Sequence, residues 1–280
     1  MIIFAIPLRS EKSAKNWDAV LHNFHRTVRS VFNQTNPDFR CIVACNEKPP
    51  MDREYDERLE FLELPYMPVP GSWLEMARDK FWKLTVIAVR AREILEQQEE
   101  PEKGIYIMPV DADDLLNRRI AAYCHDHPDA HGFVSHDGYV WNTGKRYFRI
   151  HRDLHTYCGS CNIIKMYRED LPETCPAAPE LCHDRDTAVW MNARYPIRFD
   201  HHIIVDRYAE TGRPFSRLPF RSTVYVLETG DNISAIHQQL YEKKSPSKKR
   251  FHPIAFLRKI NVFSYMPITK GIRREFGMEL

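Results

Sequence analysis

The sequence predicts an α/β protein in which a mostly parallel sheet is flanked by helices and followed by a smaller, mixed α+β half. Strand-length apolar runs alternate with helix-period segments through the first 125 residues, the pattern of a parallel sheet covered by helices. Beyond that point the alternation gives way to short strands and turns. The composition, 280 residues with 43% hydrophobic and 28% charged, is that of an ordinary globular chain large enough for a substantial core.

Residues 2–7 are an apolar run closed by Pro7, a buried first strand with a loop after it. Asn16 then caps a helix whose apolar face is Trp17, Val20, Leu21, Phe24, Val28 and Val31, at spacings of three and four. Residues 39–45 make a second strand and 61–64 a weaker third, after which Pro65, Pro68, Pro70 and Gly71 form a long turn. Ser72 and Glu75 stand at capping-box spacing and open the clearest helix, which holds its period through Leu74, Phe81, Leu84, Ala88, Ala91 and Leu95. Residues 104–110 form a strand that ends abruptly in Asp111, Ala112, Asp113 and Asp114, ahead of a helix over 118–125.

In the second half, 132–140 and 145–150 read as a hairpin turning at Asn142, Thr143 and Gly144. Residues 162–166 and 222–227 read as strands and 186–193 as a helix. His201 and His202, adjacent on a strand, would point to opposite sides and could not share an ion. The expected organisation is a domain over 1–241, with halves 1–125 and 126–241, and a basic tail over 242–280.

Composition excludes several classes. Collagenous, disordered and disulfide-framework chains do not look like this, and no apolar run approaches the roughly 18 residues of a spanning helix. Residues 1–7 are apolar, but Arg9 and Glu11 arrive too early for a secretory signal, so the expected location is cytoplasmic, with seven reduced cysteines. The net charge of +2 hides an asymmetry: residues 243–274 hold ten Lys or Arg and no acid, against 30 basic and 38 acidic residues elsewhere. An acidic body disfavours nucleic acid as a partner. The tail, mixing lysines with Ile254, Phe256, Leu257 and Ile260, suits peripheral contact with an anionic inner membrane surface.

The acid cluster is the strongest chemical signal. Ligands of open α/β sheets bind outside the carboxyl ends of the strands, and Asp111, Asp113 and Asp114 stand at such an end. Three carboxylates within four residues repel, a cost that Mg²⁺ or Mn²⁺ would relieve while bridging to a diphosphate. A cluster of acids at a helix N-terminus is the plainer alternative.

With Asp111-Ala112-Asp113 closing the strand 105–110, residues 2–9 as an opening strand and loop, and the elements between in this order, the chain resembles the nucleotide-sugar glycosyltransferases of the GT-A fold, family 2 in type, over about residues 1–235. The resemblance implies a Rossmann-like sheet and hexosyl transfer from a nucleotide sugar to a sugar, lipid-linked or protein acceptor, in polysaccharide or glycoconjugate synthesis. It implies nucleotide contacts at Pro7, Leu8, Arg9, Asn46, Glu47 and Asp111. Arg78, Lys80 and Lys83, on the face of the helix after Ser72, would meet the phosphates. It implies a metal, Mn²⁺ or Mg²⁺, on Asp113 with Asp111, and a catalytic base at Asp184 or Asp186, with capping of the following helix as the alternative role of Asp186. Cys158-Gly159-Ser160-Cys161-Asn162 resembles the small-residue loop that lines the acceptor side, and residues 228–234 a loop that closes on the metal. His237 is offset from the position of a third metal ligand.

Two other readings compete. A nucleotidyltransferase uses the same kind of sheet, but residues 7–12 lack the glycines of its phosphate loop. A zinc-stabilised binding module would use Cys158, Cys161, Cys182 and His183, although a second Cys-x-x-Cys pair is missing.

Overall fold

The computed structural model describes residues 1–175, 177–198, 200–201, 203–227 and 265–279. Two sheets organise them. The larger has seven strands in the order β10-β6-β9-β4-β1-β2-β3: β1 Ile2–Pro7, β2 Phe39–Cys45, β3 Leu59–Glu63, β4 Ile105–Pro109, β6 Gly132–Val134, β9 Asn162–Met166 and β10 Ser216–Arg217. β4 sits at the centre, with β1 next to it; β1 runs parallel to β2 (Pro7 opposite Ala44) on one side and to β4 (Ala5 opposite Pro109) on the other. β9 is the antiparallel member, between β4 and β6.

Helices cover both faces because the buried strands carry apolar residues on both sides. α1, Trp17–Phe32, is capped by Asn16, whose side chain accepts from the Ala19 N–H; with α3, Ile120–Asp126, it packs on Ile2, Phe4 and Ile6. α2, Trp73–Glu96, packs Trp82, Leu84, Ile87 and Ala88 on Ile3, Ala5, Ile42 and Ala44 of the opposite face. Ser72 caps it as the spacing predicts, while the Glu75 carboxylate reaches back to accept from Gly71 N–H at 2.6 Å. The mostly parallel α/β sheet flanked by helices is the predicted fold class.

The second sheet has the order β12-β8-β7-β11-β5, from β5 Leu115–Leu116, β7 Gly138–Asn142, β8 Tyr147–His151, β11 Thr223–Leu227 and β12 Tyr265–Pro267. Here the structure corrects three sequence expectations. The run 132–140 is not one strand: Gly132–Val134 pairs with β9 in the large sheet and Gly138–Asn142 pairs with β8 and β11 in the small one. Ser135 breaks the run, its N–H donating to Cys161 O and its hydroxyl to Asp137 O. His201 lies in a turn, not on a strand, ahead of the two-turn helix α5, Ile204–Glu210, a helix too short for its period to register; His202 lies outside the described residues.

The third correction concerns the tail. Residues 228–264, which include the proposed metal-closing loop, His237 and most of the lysines, lie outside the described residues. From 265, however, the chain returns to the fold. β12 pairs antiparallel with β8, α6 (Lys270–Glu275) follows a Thr269 cap, and Phe276 is wholly buried among Leu115, Tyr139, Phe148 and Val224. Glu279 then pairs with Arg29 of α1 and with Arg53. No helix among the described residues is long and apolar enough to cross a membrane.

Candidate functional site

The order of the parallel strands reverses at β1, because the chain runs from β1 through β2 to β3 and then crosses back to β4. The carboxyl ends of β1 and β4 meet at this reversal, the usual ligand position in such sheets. Residues 7–9, Asn46, Glu47 and Asp111–Asp114 converge there from the ends of β1, β2 and β4. Backbone bonds fix the edges: Leu8 N–H donates to Ala44 O at 2.9 Å and Val110 N–H to Ala5 O at 2.8 Å.

α2 bolts these loops together. Lys83, fully buried, donates all three of its ammonium protons: to Leu8 O at 2.8 Å, Asn46 Oδ1 at 2.8 Å and Asp79 Oδ2 at 2.7 Å. Lys83 therefore cannot meet a phosphate as the helix spacing suggested; it joins the ends of β1 and β2 from beneath. The Leu8 side chain is in the core, and Asn46 also donates to Met67 O at 3.3 Å, so both build the floor of the site. Pro7 and Arg9 are half-buried and Glu47 is exposed at its rim. Arg9 Nη2 lies 2.7 Å from Met76 Sδ of α2.

Arg78 and Lys80, on the first turns of α2, are both engaged with protein. Arg78 Nη1 donates to His183 O at 2.6 Å, tying the loop before α4 (Arg185–Arg194) to α2. Beneath this tie, Asp79 Oδ1 and His183 Nε2 are buried 3.8 Å apart, neither with a hydrogen-bond partner. Lys80 forms an ion pair with Asp111, whose own N–H donates to Ser160 Oγ at 2.9 Å.

The three clustered acids part company. Asp111 faces Lys80. Asp114 is wholly buried, accepting from the Cys158 thiol at 3.1 Å and from Val226 N–H at 3.3 Å, and burial, then its acidic neighbours Cys158, Asp113 and Asp111, drive its carboxyl well above the usual range. Asp113 is half-buried and lies within electrostatic reach of Arg26 of α1, which in turn sits over the Trp141 ring at 4.4 Å. The mutual repulsion expected from sequence is thus relieved by the Lys80 ion pair with Asp111, by the raised pKa of the buried Asp114, and by Arg26 near Asp113. The three carboxylates do not gather into a group with ligand atoms within 4.8 Å.

Arg26 was not singled out by sequence because one Arg on a helix face carries no pattern. It lines a cleft of about 490 Å³ between α1 and the second sheet, with His22, Arg29, Trp141, Arg273 and Glu279. Desolvation by burial, with Arg29 nearby, lowers its pKa to about 10. On the α2 side a small pocket of about 40 Å³ lies beside Lys80 and Gly159 and is lined by Asn162, whose buried amide has no partner for either its oxygen or its nitrogen.

Asp184, rather than Asp186, caps α4: its Oδ2 accepts from Thr187 N–H at 2.8 Å, and that bond holds the carboxyl below its ordinary value. Asp186 stands exposed in the first turn. The Arg78 tie carries this turn to the N-terminal part of α2. Cys158 and Cys161 are buried beside Leu154 and Tyr225, whereas Cys182 belongs to the core under α2. The four zinc ligands considered from sequence form no gathered group among the described residues.

No family model matches the chain, and no curated protein matches it. Among solved structures, the crystal structure of S. aureus TarS 1-349 aligns at 11% identity and a TM-score of 0.39, covering 80% of this chain and 60% of that one. The chain thus spans less than two thirds of the structure it aligns with.

Proposed function

We propose that this protein is a glycosyltransferase that moves a sugar from a nucleotide diphosphate to an acceptor hydroxyl, aided by Mn²⁺ or Mg²⁺. The supporting observation is the convergence at the switch point of the β1 loop, the end of β2 and the Asp111–Asp113 turn, with an acidic helix N-terminus tied to the same α2 through Arg78. The nucleoside would rest against Pro7, Arg9 and Glu47, on the floor made by Leu8 and Asn46. Lys80 holds Asp111 in place for the ribose.

The donor set fits a hard ion that draws most of its ligands from the substrate. Asp111 and Asp113, both half-buried at the end of β4, are the carboxylates for it, and Mg²⁺-type ions are commonly held through one or two carboxylates plus phosphates. Such an ion, when bound, neutralises charge on the departing diphosphate. Asp184, ionised and open to solvent, accepts the proton of the attacking hydroxyl; Asp186, in the first turn of the helix, adds negative charge near it. The acceptor would approach over Cys158–Asn162, whose Ser160 already positions Asp111.

The test is a thermal-shift series with UDP, GDP, CMP, dTDP and ADP, with and without Mn²⁺, on wild type and Asp113→Asn. A ligand at about one hundred times its dissociation constant adds about 2.7 kcal/mol, or roughly 5–10 °C for a domain of this size. One nucleotide should stabilise the wild type only with metal and leave Asp113→Asn unmoved. Equal stabilisation of both proteins, or no response to any nucleotide, would overturn the reading. Asp184→Asn should bind that nucleotide normally and lose about 100-fold or more in transfer.

A further inference from the structure

A second polar cluster lies away from the donor crevice, where the turn between β6 and β7 meets the turn after β8. His136, Asp153 and His155 each offer one ligand atom there, and these atoms lie within 4.8 Å of one another, a gathering unique to these residues among the described ones. His136 Nδ1 is 3.8 Å from Asp153 Oδ1, and the two imidazole rings are 4.5 Å apart between centroids. We propose that His136, Asp153 and His155 bind a divalent transition-metal ion of the zinc type, with a fourth position open to solvent.

An ion pair does not account for the arrangement. A pair between His136 and Asp153 does not engage His155 Nδ1, which is buried without a hydrogen-bond partner. A metal ion uses all three groups. Bonds of about 2.0–2.1 Å in a tetrahedron set ligand atoms roughly 3.3–3.5 Å apart, so the present separations close with small side-chain movements. Two nitrogens and one oxygen suit zinc and its neighbours, whereas Mg²⁺ and Ca²⁺ take oxygen ligands.

The backbone holds the three residues in place without the ion. Leu154 N–H donates to His136 O at 2.6 Å, joining the two turns between the ligands. Thr156 bonds Asp153 O through both its N–H and its hydroxyl, and Tyr157 and Cys158 N–H both donate to Leu154 O. Leu154 packs where Gly138 lacks a side chain, so a larger residue at 138 would displace the turn. Asp153 adopts φ 55°, the left-handed region and the single positive φ of a non-glycine residue among those described. That conformation is mildly unfavourable even for Asp, and sites that hold such strain are often functional.

The site also has a route to the crevice. Three residues after His155 comes Cys158, whose thiol donates to Asp114, and then Ser160, whose hydroxyl accepts from Asp111 N–H. An ion on the turn 153–155 would pin the segment that supports both aspartates. The inference does not depend on the glycosyl-transfer reading, since it concerns different residues and a different class of ion.

The full-length protein, stripped with a chelator, is titrated with Zn²⁺ alone and followed by calorimetry and thermal shift, and with Co²⁺ followed by its visible spectrum. Wild type and Asp113→Asn should each bind one Zn²⁺ and melt several degrees higher. Asp153→Asn, which tolerates the left-handed backbone, and His155→Ala should lose affinity by at least the roughly 10- to 100-fold that outer-shell changes cost. Circular dichroism confirms that the variants are folded. The Co²⁺ complex should show d–d bands without a sulfur-to-metal charge-transfer band. Absence of Zn²⁺ binding by the wild type, undiminished binding by both folded variants, or a sulfur charge-transfer band marking cysteine ligands would overturn the proposal.

Discussion

Lys83 is the residue on which the crevice depends most. A buried ammonium is costly unless every proton is used and a counter-charge is near, and Leu8 O, Asn46 Oδ1 and Asp79 Oδ2 satisfy both conditions. Lys83→Met keeps the length but leaves Asp79 buried without its partner. The expected loss is about 3–5 kcal/mol, read from urea melts, together with weaker nucleotide binding because the β1 loop and Asn46 lose their common anchor. A loss under about 1 kcal/mol would mean that the network contributes little to folding. Asp184 belongs to the same level of argument. A base must be ionised to act, and the Thr187 N–H holds this carboxyl below its usual value. Transfer that depends on Asp184 should therefore stay level as pH falls from neutrality and decline only below the ordinary aspartate range. An acid limb near neutrality in kcat/KM would point to a different base.

Among the elements, β4 carries the site, and the turn before it decides how closely β4 lies against β9. Gly104, at φ 67°, enters β4 from the Pro101–Lys103 turn; a Cβ there would stand 2.6 Å from Met166 O and 2.9 Å from the Tyr167 ring. Gly104→Ala should destabilise the protein by about 2 kcal/mol or more, since this positive-φ, extended-ψ conformation, which essentially only glycine adopts, alone costs on the order of 1–3 kcal/mol and the backbone clash adds to it. A melting temperature within 1 °C of wild type would show that the turn relaxes freely, a shift smaller than about 0.5 kcal/mol produces. The split between β6 and β7 has a similar local origin. Ser135 turns the chain out of one sheet, and three residues later Gly138 admits Leu154 and starts the other. That turn positions His136, the first of the three metal ligands inferred above.

The two sheets and the chain's last described residues form one interlocked body. Phe276 is buried among Leu115, Tyr139, Phe148 and Val224, Arg118 N–H donates to Glu275 O at 2.9 Å, and Gly277 lies against the backbone of Arg29 and Ser30. The C-terminal residues thus join α1, β5 and the second sheet, and they line the cleft that contains Arg26. Phe276→Ala should cost about 3–5 kcal/mol and lower the melting temperature on the order of 10 °C. An unchanged melt would return residues 265–279 to the role of a dispensable tail.

Periodicity and caps made the first half readable: Ile2 to Pro7, the Asn16 and Ser72 caps, and the run into Asp111 each rest on neighbours in sequence, so their elements appear where local rules put them. The convergence of residues 7–9, Asn46 and Asp111 at one edge was legible for the same reason, since strand ends in a parallel sheet meet on one side. Partners distant in sequence were not legible. Lys83 reads as a phosphate-facing lysine until β1 and β2 close over it; Asp114 reads as a third metal acid until Cys158 and Val226 bury it. The tail reads as a basic surface segment, although its residues from 265 pair with β8, and nothing local in the sequence joins His136 to His155, whose rings meet across two turns. Helix and strand formation are decided over a few residues, whereas burial, charge pairing and ligand gathering depend on contacts tens to hundreds of residues apart, and those exist only once the sheets have formed.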